Sequence, residues 1–80
     1  MARSIPHSQK EALKALLRGL RKDRGWSQAE LAKKLRQPQS YVSRYELGER
    51  RLDILELRQL CKAFDLSLRD FVDLLEAKIK

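Results

Sequence analysis

WSQAELAKKLRQPQSYVSRYELG, residues 26–48, describes two short helices joined by a tight turn. The Ser27 hydroxyl can accept from the backbone N–H of Glu30 while the Glu30 carboxylate reaches back to the Ser27 N–H. This reciprocal capping box predicts a helix starting at Gln28. Leu31, Ala32 and Leu35 fall on its inner face, and Glu30, Lys33 and Lys34 on the wet one. Arg36, Gln37 and Pro38 then break the pattern, because proline has no N–H and disfavours helical geometry in the residue before it. Proline is tolerated at a helix's first position. A second helix is therefore predicted from Pro38 or Gln39 to Leu47, with Val42 and Tyr45 inward and Gly48 as a left-handed C-terminal cap.

Gln39, Ser40, Tyr41, Ser43 and Arg44 are left outside. Any amphipathic helix has a polar outer face, so one reading is a solvated surface. The other is contact with base edges: Gln and Arg make bidentate hydrogen bonds to adenine and guanine in the major groove, and residues near a helix N-terminus reach those edges first. Tyr41 either packs its ring along its own helix or reaches a phosphate or a thymine methyl.

The segment resembles the Cro and phage-repressor type (XRE-like) helix-turn-helix family, small all-helical sequence-specific DNA binders. Arg21, Gly25, Ser27, Gln28, Glu30, Leu31, Ala32 and Leu35 carry the resemblance, with Ser40, Val42, Ser43, Arg44, Glu46 and Gly48. The match runs from about Leu13 to Leu75, so the spacing of many positions together makes it specific. It implies base reading by Gln39, Ser40 and Arg44, with Tyr41 beside them. It implies phosphate contacts from Gln28 and from Arg50 or Arg51 after Gly48, and Ser43 and Arg36 are assigned to the phosphate backbone with them. It also implies an ion pair between Arg21 and Glu46 that locks the recognition helix to helix 1. Two positions depart from the family pattern. Arg36 stands where a turn glycine is common, requiring either a right-handed non-helical turn or a positive φ, and Pro38 replaces a frequent Ser or Thr cap.

The rest of the chain completes an all-α, five-helix, lambda-repressor-like DNA-binding domain over residues 8–80, with the helix-turn-helix at about 27–47. Residues 1–7 are read as a tail, or as a basic arm with Arg3 near a groove. Helix 1 is expected from near Ser8 to Gly25, with Leu13, Leu16, Leu17 and Leu20 inward. Lys10, Lys14, Arg18, Lys22 and Arg24 form its polar face, either solvated or touching phosphate. Trp26 is expected in the core. Asp53 and Glu56 repeat the capping box for a helix over 53–64 carrying Ile54, Leu57, Leu60, Cys61 and Phe64 inward. Ser67 and Asp70 cap a last helix over 67–79 with a stripe of Leu68, Phe71, Val72, Leu75 and Ile79. Leu74 lies off that stripe, and Phe71, Leu74, Leu75 and Ile79 are the candidate dimer interface.

Composition narrows the function. Eighty residues make one small domain, too small for a deep catalytic cleft. A net charge of +7 and a pI near 10.0 favour an anionic partner. No apolar run approaches the ~20 residues that span a bilayer, and the N-terminus carries no hydrophobic signal segment, so no membrane partner and a cytoplasmic location are expected. Cys61 has no second cysteine to bridge and reads as a small buried hydrophobe. With His7 alone as well, there is no metal-ligand set. No nucleophile–base arrangement or phosphate-cradling loop is present. The chain is read as not an enzyme, with no cofactor and no small-molecule ligand.

One helix reading a few base pairs cannot select a site among roughly 10⁶ or more competitors. A homodimer on an inverted repeat can, and the leading reading is a transcriptional regulator of this kind, a repressor acting on operator DNA. The alternative is an antitoxin-like subunit that also holds a toxin or other protein partner. A third reading, RNA binding, suits the charge but has no stacking aromatics beyond Tyr41.

Overall fold

The computed structural model describes residues 4–79. Arg3, named above for the basic arm, lies outside the described residues. Five helices follow one another: α1 (His7–Asp23), α2 (Gln28–Leu35), α3 (Gln39–Leu47), α4 (Ile54–Ala63) and α5 (Leu68–Ile79). Among the described residues there is no strand, and no helix is long and apolar enough to cross a membrane.

Local chemistry sets the helix starts. At Ser27 both halves of the capping box form, with Glu30 N–H donating to Oγ at 3.0 Å and Ser27 N–H donating to the Glu30 carboxylate at 2.8 Å. Asp53 and Glu56 do the same at 2.8 and 3.0 Å, and Asp70 N–H donates to Ser67 Oγ at 3.0 Å. Each side-chain oxygen satisfies an N–H that has no partner within its helix. Helix α1 starts one residue earlier than expected, at His7 behind Pro6, and stops at Asp23, two residues before Gly25. Helix ends vary by about this much with small changes in terminal geometry.

Backbone geometry sets the stops. Of the two conformations open to Arg36, the chain takes the left-handed one, φ 57° and ψ 43°. That lets Gln37 N–H return to Ala32 O at 2.9 Å and turns the chain into α3. Pro38 sits at the cap position, outside α3, without a side-chain cap. Gly48 (φ 80°) ends α3 in the same manner, with Glu49 N–H on Arg44 O at 2.9 Å. A left-handed non-glycine residue costs roughly 1–2 kcal/mol, and glycine offsets part of that gain with its larger folding entropy, roughly 0.5–1 kcal/mol. Arg36→Gly is therefore expected to stabilise the domain by up to about 1 kcal/mol in urea unfolding. A loss of stability would show that the Arg36 side chain outweighs its backbone strain.

The core is a single cluster of Leu16, Leu17, Leu31, Ala32, Val42, Tyr45, Leu60, Cys61, Phe64 and Phe71. Leu13, Leu20, Trp26, Leu35 and Leu57 are half-buried around it. Helix α2 packs on α3 and α4, while α1 packs on α3 and α5, and α5 also meets α4. Two residues placed inward by periodicity are outside. Ile54 is 60% exposed and Val72 42% exposed. A stripe is buried only along the length and width that neighbouring helices cover. Ile54 lies in the first turn of α4, where the cover ends, and Val72 flanks the narrower line Leu68–Phe71–Leu75 that meets the core. Phe71 itself is fully buried, so its ring cannot form part of a dimer interface as expected from the sequence. Leu74 is exposed, with Leu75 and Ile79 half-buried.

Candidate nucleic-acid interface

Helix α3 is held from beneath by Val42, Tyr45 and Glu46, so its opposite side is fixed in direction. Gln39, Ser40 and Arg44 are exposed on it, and Ser43 is half-buried. Arg36 and Arg51, at the two ends of the α3 segment, are exposed. All of these side chains carry hydrogen-bond donors, and all belong to α3 or to the segments that flank it.

The hold on α3 is strongest at its last turn. Arg21 Nε donates to Glu46 Oε2 at 2.7 Å, and Nη2 donates to Oε1 at 2.9 Å. The two side chains are 8% and 4% exposed, and the remaining guanidinium nitrogen Nη1 donates to Trp26 O at 2.8 Å. Gln28 Nε2 donates to Glu46 Oε1 at 3.0 Å. Burial alone would push the Glu46 carboxyl up, but the hydrogen bonds from Arg21 and Gln28, together with the charges of Arg21 and Arg18, outweigh it and leave the group below its ordinary range. Arg21, Glu46 and Gln28 thus join α1, α3 and the first residue of α2. The Gln28 amide, assigned to a phosphate by resemblance, is engaged with Glu46 through one N–H and keeps its second N–H.

Around Tyr41 the arrangement is built by packing. The Arg50 guanidinium lies 4.6 Å from the Tyr41 ring centroid, a cation–π contact, and Tyr41 meets Tyr45 edge-on at 5.7 Å. Arg50 Nη2 donates to Glu56 Oε2 at 2.6 Å and Nη1 to Arg51 O at 3.1 Å. Burial raises the Tyr41 phenol, and the Glu56 charge raises it further. The Tyr41 ring is thus packed between Arg50 and Tyr45. Arg50 is likewise a strut between the 48–53 loop, α3 and α4, leaving Arg51 as the unpaired arginine of that loop among the described residues.

The contacts of Arg24 and Trp26 with Phe64 had no signal in local spacing. Arg24, placed on the polar face of α1, donates to Leu20 O at 3.2 Å and to Phe64 O, with its guanidinium 5.2 Å from the Phe64 ring. Trp26 stacks on the other aromatic of this group, Phe64, at 6.1 Å and 18°, and Lys34 Nζ lies 4.6 Å from the Trp26 centroid. Lys14 is paired with Glu11 at 2.8 Å. Arg24 is therefore engaged within the fold and Lys14 in a surface pair on α1, whereas Arg18 and Lys22 remain exposed. The spacing between Arg50 and the capping residue Glu56 was the one available hint of the loop strut, since the capping box uses only one of the two Glu56 oxygens.

A model of the helix-turn-helix family matches residues 17–71. An XRE-family like protein from Pseudomonas syringae pv. tomato str. DC3000 is 39% identical, covering 86% of this chain and 84% of that one, with a TM-score of 0.78. The clp gene regulator ClgR from Corynebacterium glutamicum is 32% identical over 86% of this chain and 73% of its own, with a TM-score of 0.74. The restriction-modification controller protein C.Esp1396I shares the fold at a TM-score of 0.80 and 24% identity, over 94% of this chain and 95% of that one. No curated protein matches the chain. With the matched region running from the α1 core to Phe71 and enclosing the whole of the α2–α3 unit, the chain belongs to the XRE-type helix-turn-helix family of DNA-binding transcriptional regulators.

Proposed function

We propose that the protein is a sequence-specific regulator that binds double-stranded operator DNA as a homodimer, lays α3 in the major groove, and represses by occluding a promoter in the cytoplasm. The observation that carries this reading is the split of α3 into an anchored side, Val42, Tyr45 and Glu46, and a free side, Gln39, Ser40 and Arg44. The free side has the amide and guanidinium groups that read adenine and guanine. Arg36, Arg51, Ser43 and the second N–H of Gln28 contact the flanking phosphates and fix the register. That a 32% identical neighbour is a gene regulator supports control of transcription as the output.

A two-fold dimer sets its recognition helices about 34 Å apart, one helical turn of DNA. Leu74 is 41% exposed, and with Leu75 and Ile79 it supplies the apolar part of the proposed interface on α5. Selection from a random duplex library at near-physiological salt tests the whole reading. The expected winner is an inverted repeat bound at least about a thousandfold better than a scrambled duplex. Affinity that follows ionic strength alone, with no enriched sequence, would reject it.

Arg44→Ala is expected to weaken binding to the selected site by roughly 1–3 kcal/mol and to relax preference at one base pair. Equal loss on every duplex in a gel-shift series would instead make Arg44 a phosphate contact.

A further inference from the structure

The outward side of α3 carries one residue whose side chain has no hydrogen-bonding group. Leu47 closes the helix, seven residues after Ser40, four after Ser43 and three after Arg44. At about 100° per residue, seven steps bring it within about 20° of Ser40 around the axis. The same count sets it about 60° from Arg44 and about 140° from Val42, which is fully buried. Leu47 therefore stands on the stripe of Ser40 and Arg44, turned away from the core.

Its exposure is 62%. A single exposed leucine is ordinary on a protein surface, so exposure alone assigns nothing. Its position is the stronger observation. The residue before it, Glu46, is clamped by Arg21 and Gln28, and the N–H of the residue after it, Gly48, returns to Tyr45 O at 3.1 Å. The backbone is thus pinned on both sides of Leu47, and the side chain is held outward. Ile54 and Leu55 are comparably exposed, at 60% and 71%, but they open α4 and lie off this stripe.

On the proposed function, the outward stripe of α3 meets the major groove. Polar base edges line that groove, and a leucine can bond to none of them. The C5-methyl of thymine is the apolar group that a base pair presents there. Three residues of helix advance Leu47 about 4.5 Å past Arg44, a little over one base step of about 3.4 Å. That is far enough to meet the base pair beside the one Arg44 reads.

We propose that Leu47 is a specificity-determining residue, packing on the methyl group of one thymine in each half-site. The inference rests on the proposed function and adds to it a preference for T·A that is apolar in origin and independent of the hydrogen bonds of Gln39, Ser40 and Arg44.

The test uses the full chain and the operator selected from the random library. Each thymine is replaced in turn, at both symmetry-related positions, by deoxyuridine, which keeps every hydrogen-bonding group and removes only the methyl. At one position the wild type should lose about tenfold in a gel-shift titration, a few-fold for each of two buried methyl groups. Leu47→Ala should bind the thymine operator about tenfold or more weakly than the wild type and show no further loss on the deoxyuridine operator, the coupling a double-mutant cycle reads. Its melting temperature should stay level, since the truncated side chain is exposed. Leu55→Ala, an exposed leucine off the stripe, should keep the full difference between the two operators. A wild type indifferent to every methyl would overturn the role of Leu47 and leave sequence-specific binding standing. A methyl effect that survives in Leu47→Ala would assign the methyl to another side chain and overturn the role equally. If no operator is selected at all, the proposed function and this role fall together.

Discussion

Glu46→Ala is expected to cost about 3–5 kcal/mol of folding stability, the usual penalty for removing one partner of a buried ion pair. The variant leaves the Arg21 charge in a site where it is 8% exposed and removes the acceptor of Gln28. A domain of 80 residues has a total stability of only about 4–12 kcal/mol. At roughly 4–8 °C per kcal/mol, the melting temperature should fall by about 12 °C or more. An unchanged melt would mean that the pair is no anchor at all. Because a buried pair owes little of its net stability to attraction once desolvation is counted, Arg21→Met combined with Glu46→Leu should melt above Glu46→Ala.

The same carboxyl sets a pH dependence with a defined sign. Its folded value lies below the ordinary 4.5, so the native state favours the ionised form. The resulting stability is fully present above that ordinary value and is lost as pH falls through the folded one. Thermal melts of the wild type and Glu46→Gln across acidic pH should therefore converge in acid. A gap that stays constant would assign the stability to shape and not to charge.

Phe64→Ala is the second large effect, about 3–5 kcal/mol for truncating a fully buried aromatic. Phe64 has no exposed surface. Its ring supports the Trp26 stack and the Arg24 guanidinium together, so the truncation loosens the join between the α1–α2 loop and the end of α4. Urea unfolding should show the lowered midpoint, and Trp26 emission should shift to the red in the native baseline. A native-like midpoint would mean that the surrounding side chains collapse into the space at little cost.

Features that depend on a few neighbouring residues were legible in the sequence. The capping boxes at Ser27 and Asp53 declared the starts of α2 and α4 because both partners lie within one turn. The inner faces of α1, α2 and α3 followed from helical spacing for the same reason. Ile54 and Val72 were misplaced because periodicity gives the direction of a side chain and carries no information on how far a neighbour extends. Arg36 left two backbone conformations open, since a turn of that length can be closed by either. Contacts across the fold were less legible still. Arg24 with Phe64 spans 40 residues, and the Arg21 and Glu46 contact spans 25 and entered the reading only through the family resemblance. Tyr41 was undecided because its direction depends on Arg50, which arrives from a loop with no periodicity.

The three-way junction of Arg21, Glu46 and Gln28 makes α1, α2 and α3 move as one stiff body. On the proposed function, a protein so braced cannot tilt α3 to suit an imperfect operator. On the proposed binding of a homodimer to an inverted repeat, a groove that is too wide or a spacing off by a fraction of a turn has to be met by bending or twisting of the duplex. Sequences that deform easily at positions the protein never touches will then be favoured over equally well-matched but stiffer ones.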